Sequence, residues 1–178
     1  MSEELGIRIG EPEDVHKMMD LALSACEENG FVDPNPRKLL AEIWSALHFD
    51  NGLVGIIEGS DGTFEGAVLL RVGDMWYSDR QILEEKAIFI HPNFRSAKGG
   101  RARRLCEFSK KVADSLGVPL IIGVLSNHRT EAKIRLYERV FGRASGAFFL
   151  CIMLVQAGGR KLRSSKNGRQ KHNLHTDD

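Results

Sequence analysis

The stretch Ile88-Phe89-Ile90-His91-Pro92-Asn93-Phe94-Arg95-Ser96-Ala97-Lys98-Gly99-Gly100-Arg101-Ala102 decides the fold. Ile82 to His91 reads as a strand, and Pro92 ends it because proline cannot continue the ladder. Residues 97–116 then place Ala102, Leu105, Cys106, Ser109, Val112, Ala113 and Leu116 at helical spacing, with Gly117 as the stop. A strand, a short polar loop and a helix start bring several free N–H groups to one point. The helix dipole adds to them, and together they suit an anion. Gly99 and Gly100 allow close approach of the main chain, and Arg95, Lys98, Arg101, Arg103 and Arg104 gather positive charge around it. A pyrophosphate is the ligand this pattern favours. A helix entry with a solvated basic face is the other reading of the same residues.

Working outward, Leu5 to Ile9 reads as a short strand. Pro12, Glu13 and Asp14 open a helix carrying Val15, Met18, Met19, Ala22 and Cys26, which Asn29-Gly30 stops. Asn35 caps a second helix with Leu39, Leu40, Ile43 and Leu47 on one face. Leu53 to Glu58 and Phe64 to Val72 read as strands joined at Ser60-Asp61-Gly62, with Gly73-Asp74 and Ser78-Asp79 breaking the chain before the next strand. Downstream, Val118 to Leu125 is an apolar run suited to a buried strand, Thr130 to Val140 a helix, and Ala147 to Val155 a last strand. The order β-α-α-β-β-β-α-β-α-β predicts one α/β domain over residues 1–157, with a mixed, mostly antiparallel sheet flanked by helices. Residues 158–178 are basic and almost free of apolar side chains, and are expected to form a flexible tail.

The strand followed by His91-Pro92-x-x-Arg95 and a glycine loop opening an amphipathic helix resembles the acyl-CoA-binding signature of the GNAT superfamily of N-acetyltransferases. Leu136-Tyr137-Glu138-Arg139-Val140-Phe141-Gly142 resembles the second signature of that family, and the element order is similar over roughly residues 6–155. Arg95-Ser96, with Lys133 four residues before Tyr137, is similar to a phage-encoded branch. Three positions depart from the family pattern: Lys98 replaces a glycine, Thr130 an asparagine, and Lys133 a small residue. Gly100 stands where the family has its second glycine.

The resemblance implies acetyl-CoA as co-substrate and direct attack of an amine on the thioester, without an acyl-enzyme. It implies that backbone groups near Ile88 and Ile90 meet the pantetheine arm, and that Arg95, Ser96, Ala97, Lys98, Gly99, Gly100 and Arg101 hold the pyrophosphate. Tyr137 is then the general acid for the thiolate. Either Glu84 or Glu85 takes the amine proton, directly or through a water; adjacent strand residues face opposite ways, and the resemblance implies Glu85, whose spacing to Arg95 fits the family better. His91 either relays a proton or bonds locally. Phe31 to Pro36, Trp76 and Tyr77 are expected to wall the acceptor cleft.

Composition narrows the class further. The hydrophobic fraction of 42% and charged fraction of 28% are those of a globular chain. The longest apolar run, Ala147 to Val155, is about half the ~20 residues of a membrane-spanning helix. The acidic start Met1-Ser2-Glu3-Glu4 lacks the positive charge of a secretory leader. Cys26, Cys106 and Cys151 have no metal-ligand spacing, so no metal is expected, and the scattered thiols suit the cytoplasm. Residues 1–90 carry 18 acidic and 7 basic side chains, a net of −11, and residues 91–178 carry 6 and 18, a net of +12. An acidic half favours a cationic amine acceptor, either a small molecule or a protein; the basic tail reads first as a solvated, solubilising segment, with nucleic acid met through phosphates alone as the other reading. The two halves attracting each other within the monomer is the alternative. A GNAT-fold binding protein that has lost catalysis is the competing function, and the oligomeric state, a dimer included, stays open.

Overall fold

Local chemistry starts each element. Glu11, Pro12 and Asp14 form a single 3-10 turn in which the Asp14 carboxylate accepts from the Glu11 N–H at 2.9 Å. Arg8 grips the same carboxylate at 2.7 and 2.9 Å and holds it below the usual carboxylate range. Helix α1 follows, Val15–Asn29, and ends at Gly30, whose φ of 58° suits glycine and whose N–H reaches the Cys26 carbonyl. Helix α2, Pro36–Leu47, is capped by Asn35, whose side chain accepts from the N–H groups of Arg37 and Lys38.

The computed structural model describes residues 6–95, 99–127, 129–147 and 149, and the architecture below belongs to the unit that ends at Phe148. Strands β1 (Arg8–Ile9), β2 (Gly52–Glu58), β3 (Phe64–Met75), β4 (Ser78–Ile90) and β5 (Leu120–Ile121) lie in the order β1-β2-β3-β4-β5. All neighbours are antiparallel except β4 and β5, which are parallel. Helix α3, Arg101–Leu116, precedes β5, and α4, Thr130–Phe141, follows it. This is the mixed α/β architecture expected from the element order. The strand expected at Ala147–Val155 and the tail 158–178 lie outside the described residues, apart from Ala147 and Phe149.

Alternation along the strands builds two cores. Val54, Ile56 and Ala67 pack with Met18, Leu21, Ile43 and Leu47 of α1 and α2. Val68, Leu70 and Leu83 pack with Leu105, Phe108 and Val112 of α3. The sheet is therefore sandwiched, and α3 is pressed against one face with Leu105 fully buried. Gly66 of β3 pairs with Ile90 at the end of β4, and a Cβ there would lie 2.6 Å from Ile90 Cδ1 and 3.0 Å from the Phe89 carbonyl oxygen. Gly66→Ala is expected to lower stability by about 1–3 kcal/mol through overpacking; urea unfolding of the two proteins checks it.

Some boundaries differ from the sequence expectation. No break separates β3 from β4: Gly73 pairs with Ile82 and Asp74 with Gln81, and the chain turns at Trp76-Tyr77. Pairing of two long arms overrides the local turn signals. The run Val118 to Leu125 forms a strand only at Leu120–Ile121, because pairing with β4 stops at Glu84↔Ile121 among the described residues. The helix expected from residue 97 starts at Arg101, since Gly99 and Gly100 take φ values of 138° and 56°.

Candidate active site

The site begins with an irregularity in β4. Leu69 pairs with Ala87 but Leu70 pairs with Glu85, so Lys86 is an extra residue and the strand bends there. Beyond Glu84, β4 and the chain after β5 separate. A cleft of about 320 Å³ opens between them, lined by Glu84, Glu85 and Ile88 on one side and by Gly123 and Ser126 on the other. A second cleft of about 290 Å³ lies between the end of β4, the start of α3 and one face of α4. The two adjoin: Glu28, Ile88, Phe89, Lys133 and Tyr137 line both.

Their electrostatics are opposite. Arg95, Arg101, Arg103 and Arg129 line the second cleft. Helix α3 starts at this cleft behind Gly100, which has no side chain to cap the first turn, and the N–H groups of a helix start suit an anion. Arg101 pairs with Glu65 through Nε at 2.5 Å, lies over the Phe94 ring, and keeps a buried Nη1 without a hydrogen-bond partner among the described residues. A buried guanidinium nitrogen with spare hydrogens calls for an acceptor. Gly99 and Gly100 have positive φ, and a Cβ on Gly99 would stand 3.3 Å from that same Nη1. These features fit a pyrophosphate, the anion expected from the loop. Ser96, Ala97 and Lys98 lie outside the described residues.

Arg95 is placed otherwise than the loop reading expects. Its Nε donates to the Ile90 carbonyl at 2.8 Å, its Nη1 pairs with Glu28 at the end of α1, and its guanidinium lies over Phe89. It ties α1 to the loop. The carbonyl of Ile90 is thereby engaged. His91 bonds locally: its Nδ1 accepts from the Asn93 N–H and its ring leans on Phe94.

On the acidic side the bend separates two neighbours. Glu84 pairs with Lys86 at 2.7 Å and remains partly in solvent. Glu85 is turned inward, where desolvation pushes its carboxyl from 4.5 up to about 7 against the pull of the Gly123 and Ile88 N–H groups. Tyr137 sits edge-on to Phe141 at 5.8 Å, and burial, with the nearby Glu85 and Cys106, drives its phenol well above the ordinary range. Cys106 is fully buried, lines neither cleft and is pushed up to about 12, so it stays a thiol.

Several expected and unexpected residues remain. Trp76 and Tyr77 stand at the hairpin tip, 93% and 66% exposed, and line neither cleft. The expected wall at Phe31 to Pro36 is replaced by Ala25, Glu28 and Asn29 at the end of α1. The Asn127 side chain donates to the Asn29 carbonyl and anchors that end. Glu28, Glu65 and Arg129 were not singled out by spacing. Glu28 and Glu65 meet partners from another half of the chain, and Arg129 is marked only by a φ of 53° before α4. Among the described residues no group of three His, Cys, Asp or Glu gathers for a metal, and no helix is long and apolar enough to cross a membrane.

The chain has the GNAT-type fold that the sequence resemblance implies. Solved structures share it at low identity. An integron cassette protein from the mobile metagenome of Cole Harbour Salt Marsh is 22% identical, with a TM-score of 0.63 over 84% of this chain and 90% of its own. A Trypanosoma brucei acetyltransferase is 17% identical, with a TM-score of 0.61 over 83% and 98%. The aminoglycoside N-acetyltransferase AAC(6')-Iy, solved with a CoA-linked bisubstrate analogue, is 15% identical, with a TM-score of 0.62 over 83% and 96%. No protein-family model matches the chain, and no curated protein does.

Proposed function

We propose that this protein is an acetyl-CoA-dependent N-acetyltransferase that passes the acetyl group directly to a primary amine. The observation that carries the reading is the junction of a cationic and an acidic cleft, with Glu85 and Tyr137 facing it. Arg101 and the first turn of α3 hold the pyrophosphate, and Gly99 and Gly100 let it come close. Bound acetyl-CoA supplies the activated acyl group. Glu85, with a carboxyl near 7, is suited to take a proton from an ammonium at neutral pH. Tyr137 keeps its proton and stabilises the departing sulfur as a hydrogen-bond donor. Complete transfer from so weak an acid to a thiolate would be uphill.

The acceptor cleft holds Glu28, Glu84 and Glu85 against Lys86 and Lys133, an acidic excess that favours a cationic amine: a protein lysine, an N-terminus or a small polyamine-like molecule. The unpaired, scattered cysteines suit a cytoplasmic setting. Calorimetric titration with acetyl-CoA tests the reading. Wild type is expected to bind in the micromolar range, roughly −8 kcal/mol. Arg101→Ala is expected to bind about tenfold or more weakly, as loss of a charge-assisted hydrogen bond predicts. No heat of binding in the folded wild type overturns the assignment and favours a GNAT-fold binding protein without catalysis.

A further inference from the structure

Lys133 is the one lysine among the described residues that lines both clefts. It stands on α4 four residues before Tyr137, so the two side chains share a helix face. Its ammonium end is held by Ser126 Oγ at 2.6 Å, on the strand-like segment beyond β5. Thr130, one turn earlier, ties the start of α4 to the Ser126 carbonyl at 2.5 Å, so both ends of this contact are fixed. The amine therefore sits where the cationic cleft opens into the acidic one, the place an incoming acceptor must reach.

We propose that Lys133 is itself an acceptor, so that the protein acetylates its own side chain at the junction of the two clefts. The inference rests on the acetyltransferase reading above. The Lys133 ammonium gives one proton to the Glu85 carboxylate, and the amine so formed attacks the thioester carbonyl carbon; the C–N bond forms as the C–S bond breaks. The second proton leaves the nitrogen for the departing sulfur. The products are Nε-acetyllysine and free CoA thiol, so atoms and charge balance. No further reactant is needed.

The surroundings make this ammonium easier to deprotonate than that of an ordinary lysine. Burial lowers the Lys133 amine below the ordinary lysine range, helped by Arg95 and Arg129 and opposed by Glu28 and Glu85. These four charged groups come from α1, β4, the loop after β4 and the residue before α4. Acetylation would remove the cation and leave a neutral amide across the passage, so the modification limits the enzyme that makes it. Exposed lysines such as Lys17, which pairs with Glu58 at 3.4 Å, line neither cleft.

The test uses the full chain incubated with acetyl-CoA, followed by intact-mass measurement and peptide mapping over time. One acetyl group is expected at Lys133 before any exposed lysine is modified, and Lys133→Arg is expected to lose that mark while still binding acetyl-CoA. A second readout omits CoA: with a limiting N-hydroxysuccinimide ester of acetate near neutral pH, Lys133 is expected among the first lysines labelled. If acetyl-CoA binds and exposed lysines are modified while Lys133 is not, this proposal fails and the acetyltransferase reading stands. If acetyl-CoA does not bind, both fail. Labelling of every other lysine before Lys133 by the ester also overturns the proposal.

Discussion

Glu85→Gln is expected to lower kcat/KM for acetyl transfer by about a hundred- to ten-thousand-fold, the range for loss of a general base, with acetyl-CoA affinity nearly unchanged. Glutamine keeps the shape but cannot take a proton. The wild-type rate is expected to rise with pH through about 7, where the Glu85 carboxyl ionises, and the variant should lose that limb. Stability supplies an independent check. The folded-state value lies above the ordinary 4.5, so folding binds the proton more tightly than the unfolded chain does. Stability from this group is full below pH 4.5 and is lost as pH rises through 7. The variant should therefore gain thermal stability over wild type at pH 8 and show little difference at pH 4. A variant with wild-type kcat/KM would remove Glu85 from the chemistry, leaving Glu84 or a water as the base.

Arg95→Ala is expected to cost about 3 kcal/mol of stability, the effect of stripping one partner from a largely buried ion pair. The pair qualifies because the Arg95 and Glu28 side chains are only 19% and 21% exposed. The substitution also removes a bond to the Ile90 carbonyl and the contact over Phe89. The double variant Arg95→Ala, Glu28→Ala should recover much of the loss, since no carboxylate is then left unpaired. Acetyl-CoA affinity should fall less than in Arg101→Ala. Denaturant unfolding and calorimetry of the three variants separate these effects. Equal stability of wild type and Arg95→Ala would show that the α1 tie carries no energy.

Much of this was legible from residues alone. Helix caps at Asn35 and Gly30 are local chemistry, and both formed where the sequence pattern places them. The strand, glycine pair and helix of this region were legible because glycines and a helix start leave a mark in a few consecutive residues. What escaped was long-range. Nothing near Glu28 announces a partner 67 positions later, and nothing near Glu65 announces Arg101. The bulge that turns Glu85 inward is a register shift between two strands, so it has no signature in either strand alone. Trp76 and Tyr77 misled for the opposite reason: aromatic side chains suggest a binding wall, but two long arms pair past Gly73 and carry them to an exposed tip.

The wall between the clefts has a consequence for how the protein is made. Its parts come from α1, from the residues around Arg95 and from the Asn127–Lys133 region, which leave the ribosome in that order. While the acidic first half waits, Glu28 has no counter-charge and the end of α1 has no anchor. Contacts this distant in sequence form late because a large loop must close first. The nascent chain can thus assemble the β2–β4 meander early, yet the pocket for chemistry is completed only when its last third arrives. Shortened products of interrupted translation would carry most of the sheet and lack the completed candidate site.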